Sequence, residues 1–510
     1  MVALVAPRWR YPEPSVKSNS KRLLVRNVSY LGMGQIASTA LGFLASAIIG
    51  RAFEPAQLGL LYTAFTISAF AYVIVDWGQG THLVREMARG RSDEPELIGS
   101  ALLVRLSAVV LVSAIGVAIA QPLGYDGQMV VLALLAMLGG IPATLYAPFG
   151  CAFRSRDRMD VDALVGIVGK ATTLVAVVIA LYFGGDLKEV ILMQAVGGVS
   201  TLVVGAIAAS RLDIGIKSPS VTLLRELLRC GAPLATFSVV IASQSFIQIL
   251  MLSALAGSAV VGWYGASTNI LGIVLSPAMI LLTATFPELS RASRSLPDLR
   301  RVIDATGRVM FIAGAFTSSA LYLFADHMVN IVYGHGRFAE TASILRASAI
   351  FVPLLFLALV LASAMNAVGR NKAMAVISIV RIFICVVLNW LLIGYWQQRF
   401  GNGAIALVII GCMAEIPATI ACLLLLPKGA VGSSVTFNMA RSCIAVLCTV
   451  VPLSMLQPLG LFYLIPLFAL TFATTALLTR LVLPSDFRMA VEMVRSRVLG
   501  SSARQSAPDS

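Results

Sequence analysis

Long apolar segments, separated by short polar stretches, follow one another along almost the whole chain. Each is about twenty residues long, the length that a helix needs to cross a bilayer, whereas barrel strands would be about ten residues and alternating. The pattern predicts an all-α polytopic membrane protein with about 14 transmembrane helices. The predicted spans cover residues 28–50, 58–78, 98–120, 128–151, 161–183, 190–210, 230–255, 259–285, 308–328, 342–366, 373–396, 403–426, 436–457 and 460–483.

Composition agrees with this pattern. Of the 510 residues, 58% are hydrophobic and 12% are charged, whereas about a quarter of a soluble protein is charged. The net charge of +14 does not indicate a nucleic-acid partner, because the basic residues are spread over many short loops without a basic face. We therefore predict no nucleic-acid binding, and we attribute the charge to the positive-inside rule.

The distribution of Lys and Arg predicts the orientation. With the N-terminus in the cytoplasm, 30 of the 38 basic residues lie on the cytoplasmic side, five on the opposite side and three within spans. Both tails, 1–27 and 484–510, are then cytoplasmic. The seven cysteines and three histidines show no metal-ligand spacing, so we expect neither a metal nor a cofactor.

Spacings in the two halves of the chain indicate an internal repeat. Arg26 precedes Gly59 by 33 residues, and Arg229 precedes Gly262 by the same number. Repeats of six helices share one orientation and are related by an axis along the membrane normal. We predict a first lobe at 28–210, a linker at 211–229, a second lobe at 230–426 and two added helices at 436–483, with a central cavity between the lobes.

Three basic residues lie within the spans, and a charge at that depth usually faces a bundle interior or a wet cavity. Lys170 stands about 15 Å deep in the fifth span, and Arg381 holds the matching position in the eleventh. Each could bind an anion or serve as a paired structural charge. Glu415 is a potential partner for Arg381, and Asp76 for Arg105 or Arg85. Lys170 has no acid in the neighbouring sixth span.

Polar side chains add candidates for binding and gating. Gln244 and Gln248 share one face of the seventh span, Asn269 follows in the eighth, and Gln35 is a partial counterpart in the first. They form either a sugar-binding wall or ordinary interhelical hydrogen bonds. Arg51 is a candidate outer gate, through Glu54 or the Asp326 loop, or an interface anchor.

A series of short motifs lies between residues 26 and about 430. The motifs are Asn27-Val-Ser-Tyr30, Ile49-Gly-Arg51-Ala-Phe-Glu-Pro-Ala-Gln-Leu-Gly59, Asp76-Trp-Gly78 with Arg85-Glu86, Phe153-Arg154-Ser-Arg-Asp-Arg-Met159, Thr285-Phe-Pro287-Glu-Leu-Ser290-Arg291, Val332-Tyr-Gly334, Asn366-Ala-Val-Gly369-Arg370 and Gly401-Asn-Gly-Ala-Ile405-Ala. In order and spacing they resemble the polysaccharide-unit (Wzx-type) flippases of the multidrug/oligosaccharidyl-lipid/polysaccharide (MOP) exporter superfamily.

The resemblance implies a bacterial inner-membrane flippase that turns a polyprenyl-diphosphate-linked oligosaccharide between leaflets for exopolysaccharide or O-antigen-type synthesis. Lys170, Arg381 and Arg105 would then meet the diphosphate or acidic sugars, and Asp76 or Glu415 could couple an ion gradient. Membrane lipids, a polysaccharide polymerase and glycosyltransferases are the expected partners. One alternative is a cation-coupled exporter of small molecules. Another is a membrane-embedded glycan polymerase or ligase, which the short outer loops and the lack of a catalytic residue set disfavour, so we expect a transporter rather than an enzyme.

Overall fold

The computed structural model describes residues 18–120, 126–456 and 460–482. Within these ranges the chain forms helices and no strands, because backbone groups in hydrocarbon must find their hydrogen bonds within the segment or in a closed barrel. In chain order they are α1 (Ser18–Ala52), α2 (Pro55–Asp76), α3 (Gln79–Met87), α4 (Glu94–Ala120), α5 (Gly127–Gly139), α6 (Ile141–Ser155), α7 (Met159–Tyr182), α8 (Leu187–Arg211), α9 (Val221–Ala256), α10 (Ser258–Ala292), α11 (Leu296–Tyr333), α12 (Ala339–Ala367), α13 (Asn371–Phe400), α14 (Gly403–Leu425), α15 (Ser433–Ser454) and α16 (Leu461–Leu478).

Fourteen segments of the described chain are long and apolar enough to cross a membrane, and each overlaps one predicted span. The predicted fold class is thereby confirmed. The fourth span consists of two helices, α5 and α6, that meet at Gly140. Pro142 lies in the first turn of α6, where its missing N–H and fixed φ are tolerated. The short helix α3 lies in the segment that the hydropathy pattern left between the second and third spans.

Several helices extend well beyond the predicted apolar limits. The last nine residues of the predicted linker 211–229 belong to α9, and α11 begins at Leu296, twelve residues before its predicted span. The 38 residues of α11 correspond to roughly 57 Å, nearly twice the thickness of the hydrocarbon core. Hydropathy detects only the part of a helix that lies in hydrocarbon. In the predicted N-terminal tail, 18–27 are helical, whereas 1–17 and the predicted C-terminal tail 484–510 lie outside the described residues.

The spans form two lobes of six, with the same helix pairings in each. In the first lobe α1 packs on α7, α2 on α5, and α7 on α8. In the second lobe the corresponding pairs are α9 with α13, α10 with α12, and α13 with α14. The added helices are attached to the second lobe, because α15 and α16 pack on α11.

The lobes meet where α2 packs along α10, at a contact between backbones. A Cβ atom on Gly59 would lie 1.7 Å from the carbonyl oxygen of Ser258, and one on Gly262 would lie 1.9 Å from that of Pro55. Only glycine permits this approach. The two contacts are reciprocal, as expected where two related elements meet across a two-fold axis.

One end of the bundle, called the Arg51 end, holds the loops after α1, α9, α11 and α13. The Arg91 end holds the segments after α3, α6, α8 and α10, with the turn between α2 and α3. At that turn Gly78 has φ 70°, and a Cβ there would lie 2.6 Å from the carbonyl oxygen of Gly231 on α9.

Candidate functional site

A cavity of about 170 Å³ lies between the two lobes and contains Lys170. Residues of α1, α2, α7 and α8 line it from the first lobe, and α10 closes it from the second. Its polar lining is formed by Ser46, Tyr62, Lys170, Thr173, Gln194 and Asn269. A cation, two alcohols, a phenol and two amides therefore face one space between the lobes.

Lys170 is an exposed ammonium group midway along α7. It forms no ion pair or hydrogen bond with any residue in 18–120, 126–456 or 460–482. Its helix lies close to both neighbours: a Cβ on Gly169 would contact Thr201 of α8, and one on Gly34 of α1 would contact Ala163. Lys170 lines the cavity, where an anion would provide the partner that it lacks among the described residues.

Ser46, Tyr62 and Asn269 form a hydrogen-bonded group beside this lysine, referred to below as the Tyr62 cluster. The Asn269 amide donates to both the Ser46 hydroxyl and the Tyr62 phenol oxygen. The hydroxyl oxygens of Ser46 and Tyr62 are 3.3 Å apart, and either hydroxyl can be the donor. Because Asn269 belongs to the second lobe, the cluster joins the lobes across the cavity wall.

Arg381, the predicted counterpart of Lys170, is paired. One of its terminal nitrogens binds Glu415 of α14, and the other donates to Gln244 Oε1 on α9 at 2.7 Å. Its side chain is 26% exposed and that of Glu415 is 18% exposed. The pair faces cavities of about 260 and 180 Å³ inside the second lobe. Lys170 and Arg381 thus share a position in the repeat but differ in charge state: one ammonium is free among the described residues, and one guanidinium is neutralised.

Arg105 is a buried structural charge, with 2% of its side chain exposed. It binds Asp76 at the end of α2 and donates to Thr144 Oγ1 at 3.1 Å. The sequence offered Arg85 and Arg105 as partners for Asp76, and the structure pairs it with Arg105. Neither residue is presented to the cavity of Lys170, so this arrangement does not bring Arg105 to the predicted substrate position.

The four predicted amide side chains do not lie together in the structure. Gln35 is exposed and donates to Thr39 of its own helix at 3.4 Å. Gln248 is partly buried and has no hydrogen-bond partner in the described ranges. Gln244 binds Arg381, and Asn269 belongs to the Tyr62 cluster. Of these four, Asn269 alone lines the cavity that contains Lys170.

At the Arg51 end, polar contacts join the lobes beyond the Tyr62 cluster. Arg51 donates to the backbone carbonyls of Ile331 and Val332, in the last turn of α11. Arg337, in the loop after α11, donates to the Arg51 carbonyl at 2.9 Å and to Glu54 at 3.2 Å. Arg51, predicted as a gate, therefore makes an inter-lobe contact with carbonyls of the predicted Asp326 loop segment. Asp326 itself pairs with Arg346.

At the Arg91 end, α9 is tied to the first lobe by charge. Arg91 binds both oxygens of Asp93 at 2.8 Å and donates to Glu226 of α9 at 2.7 Å. The hydrogen bonds from Arg91 hold the pKa of Asp93 below its ordinary value, and the same bonds raise the pKa of Arg91. Further along, the Trp77 indole donates to the Leu228 carbonyl at 2.9 Å.

The structure also reveals residues that the sequence analysis missed, chiefly Tyr62, Ser46 and Arg337. The repeat contained a signal for the first of these. Tyr62 lies three residues after Gly59, and the same offset from Gly262 leads to Gly265. A Cβ on Gly265 would lie 2.2 Å from the Tyr62 ring, so the ring occupies the space that glycine leaves at the matching position of the other lobe.

Solved structures with this architecture define the class of protein. A structure described as the lipid II flippase MurJ in an inward closed conformation matches with a TM-score of 0.71 at 12% identity, over 88% of this chain and 97% of that one. An inward-facing multidrug resistance MATE family transporter matches with a TM-score of 0.61 at 16% identity, over 82% and 98%. A MOP superfamily transporter from Pyrococcus furiosus matches with a TM-score of 0.56 at 17% identity, over 83% of this chain and 96% of that one. The chain therefore has the fold of the MOP transporters.

Sequence comparison specifies the family. The profile of the polysaccharide biosynthesis protein family matches residues 24–293, more than half of the chain, and the MatE profile matches residues 233–391. The chain belongs to the polysaccharide biosynthesis protein family, within the flippase group of the MOP superfamily. No curated protein sequence matches the chain significantly.

Proposed function

We propose that this protein translocates polyprenyl-diphosphate-linked oligosaccharide units across the bacterial cytoplasmic membrane for exopolysaccharide or O-antigen-type synthesis. The observation that carries the proposal is the Lys170 ammonium, which has no partner within the described residues and shares one inter-lobe cavity with hydroxyl and amide groups. A substrate with an anionic diphosphate and a hydroxyl-rich glycan needs both kinds of contact. Membership of the polysaccharide biosynthesis protein family supports the same substrate class.

The two lobes differ in the charge that they offer to a substrate. Lys170 of the first lobe offers the anion a cation without a competing acid. In the second lobe, Glu415 already neutralises Arg381, so that lobe presents mainly amides and hydroxyls. The diphosphate therefore lies against α7. A single unpaired lysine also suits a transporter, which must release its substrate, and a lysine binds phosphate as a hydrated point charge rather than as a two-pronged clamp.

The transport cycle is alternating access between the predicted lobes 28–210 and 230–426. The contacts at Arg51, Arg337 and the two glycines close the Arg51 end, which the positive-inside rule assigns to the outer face. Both tails lie in the cytoplasm, and the protein acts as a transporter rather than an enzyme. Glycosyltransferases that build the substrate and a polymerase that consumes it are the partners. Helices 436–483 form an addition to the second lobe.

The test is a leaflet-exposure assay in proteoliposomes that contain a fluorescent polyprenyl-diphosphate-linked oligosaccharide. A membrane-impermeant reductant reports the fraction of probe on the outer leaflet with time. We expect the wild type to exchange the probe and Lys170→Ala to slow exchange about tenfold, the loss of one favourable contact of roughly 1.4 kcal/mol. Lys188→Ala is the matched control, because Lys188 is exposed at the Arg51 end, outside the cavity. Unchanged exchange in both Lys170→Ala and Arg381→Ala contradicts the cationic cavity.

Export of small molecules is the second candidate, and the match of the MatE profile to residues 233–391 favours it. The same proteoliposomes separate the two functions. Efflux of a cationic dye that depends on a sodium or proton gradient, without exchange of the lipid-linked probe, would establish the exporter. The unpaired ammonium in the cavity opposes binding of a cationic dye, so we expect exchange of the lipid without efflux of the dye.

A further inference from the structure

The Tyr62 cluster is placed between the proposed substrate position and the closed Arg51 end. Tyr62 lies one helical turn from Gly59, where the α2 and α10 backbones touch. On its other side it lines the cavity that contains Lys170. A ligand that fills this cavity therefore contacts the phenol close to the backbone contact.

The groups of the cluster that join the lobes are also the groups that a sugar would bind. Hydroxyls of a glycan can accept from the Asn269 amide and exchange hydrogen bonds with Tyr62 and Ser46. Each such hydrogen bond between helices in a membrane is weak and changes an equilibrium constant only about threefold. A bound sugar can therefore replace the bonds of Asn269 at little cost. This weakens the polar connection of the lobes at this depth, where Tyr333 of α11 also contacts Tyr62 and Ser46.

We propose that the Tyr62 cluster couples occupancy of the cavity to opening of the Arg51 end. In the empty protein Asn269 binds Tyr62 and Ser46, and the lobes stay together. When the hydroxyl-rich part of the substrate enters, it takes over these hydrogen bonds, and the second lobe separates from α1 and α2. The inference rests on the proposed function, and it makes Tyr62 a positioning residue that controls the conformational step.

A purely structural role for the cluster leads to a different expectation. Interhelical bonds that only stabilise the fold affect the stability of the protein equally with and without substrate. Coupling instead requires that the sugar, and not the diphosphate alone, changes the separation of the lobes. It also requires that loss of the Tyr62 hydroxyl removes this dependence.

The experiment measures the distance between spin labels at Ala56→Cys and His335→Cys, two exposed positions in different lobes at the Arg51 end. The full chain, with its seven native cysteines replaced, is reconstituted in nanodiscs. The probes are decaprenyl diphosphate and the same lipid bearing N-acetylglucosamine. In the parent protein we expect the sugar-bearing lipid, but not the bare diphosphate, to increase the long-distance population. In Tyr62→Phe we expect that population to rise roughly threefold to tenfold without sugar, and the sugar to add little.

Tyr72→Phe is the matched control, because the Tyr72 hydroxyl donates to the Met137 carbonyl within the first lobe. It removes the hydroxyl of a partly buried tyrosine from the same helix and should leave the response to sugar unchanged. A response to sugar in Tyr62→Phe equal to that of the parent overturns the inference. Opening of the parent by the bare diphosphate also overturns it, while the proposed function stands if the lipid-linked probe still exchanges. A parent protein that responds to neither lipid and exchanges none overturns both.

Discussion

Gly59 of α2 and Gly262 of α10 hold equivalent positions in the two halves of the chain, and they face each other where the lobes meet. A Cβ on either glycine would overlap the backbone at the start of the other helix. The equal 33-residue spacings that indicated a repeat therefore end at one shared contact. Closure of the Arg51 end depends on two backbones that approach without side chains between them.

Gly262→Val should prevent this closure. Its Cβ would lie 1.9 Å from the Pro55 carbonyl oxygen, so α2 and α10 must separate. Because the overlap is with backbone, rotation of a side chain cannot relieve it. We expect a longer distance between labels at Ala56→Cys and His335→Cys, and loss of probe exchange, since alternation needs both states.

Gly272→Val on the same helix is the control, because nothing lies within 4 Å of a Cβ at that position. It adds the same β-branched side chain to α10 and should leave both measurements unchanged. If Gly262→Val gives the short distance and normal exchange, the Arg51 end does not close through this contact.

The sequence predicted the spans well because bilayer thickness dictates the length of an apolar segment. It also offered Glu415 as one of two alternative partners for Arg381, the other being an anionic substrate, because Arg381 and Glu415 lie at similar depth in consecutive spans. It could not locate the Tyr62 cluster, whose members are up to 223 positions apart. Their hydrogen bonds exist only because two lobes pack, and a hydroxyl in an apolar helix gives no hydropathy signal of its own.

Removal of Arg381 alone should destabilise the protein more than replacement of both Arg381 and Glu415 by apolar residues. Arg381→Met leaves a mostly buried carboxylate without its partner, an arrangement that costs about 3 kcal/mol. The double variant Arg381→Met/Glu415→Leu removes both charges and should recover much of the loss. Thermal unfolding in detergent measures the three proteins, with Arg399→Met as control because Arg399 is exposed near the end of α13. A double variant at least as unstable as Arg381→Met contradicts this interpretation.

Arg51 should stabilise the closed state through the end of α11. The last carbonyls of a helix lack intrahelical donors and carry its negative partial charge, so a guanidinium there satisfies both. Arg51→Ala should favour opening by about 1 kcal/mol, the scale of an exposed charged contact. Arg51→Lys should have an intermediate effect, because lysine lacks the planar fork that reaches two carbonyls. The distance between labels at Ala56→Cys and His335→Cys measures the shift, and an equal population of states in all three proteins would refute the role.

The pair of Arg91 with Asp93, which holds the guanidinium that binds Glu226 of α9, should weaken in acid. Arg91 holds the pKa of Asp93 in the folded protein below its ordinary value of 3.8. The stabilisation is therefore complete above about pH 4 and is lost as the pH falls through the lower, folded pKa. The protection of residues 79–94 against hydrogen exchange, relative to the intrinsic exchange rate at each pH, should consequently fall in that acid range. Asp93→Asn should exchange faster than the wild type at neutral pH and lose this part of the pH dependence, whereas Asp298→Asn, at an exposed pair 3.4 Å from Arg301, should leave it intact. An equal pH dependence in Asp93→Asn and the wild type would show that another group controls the contact.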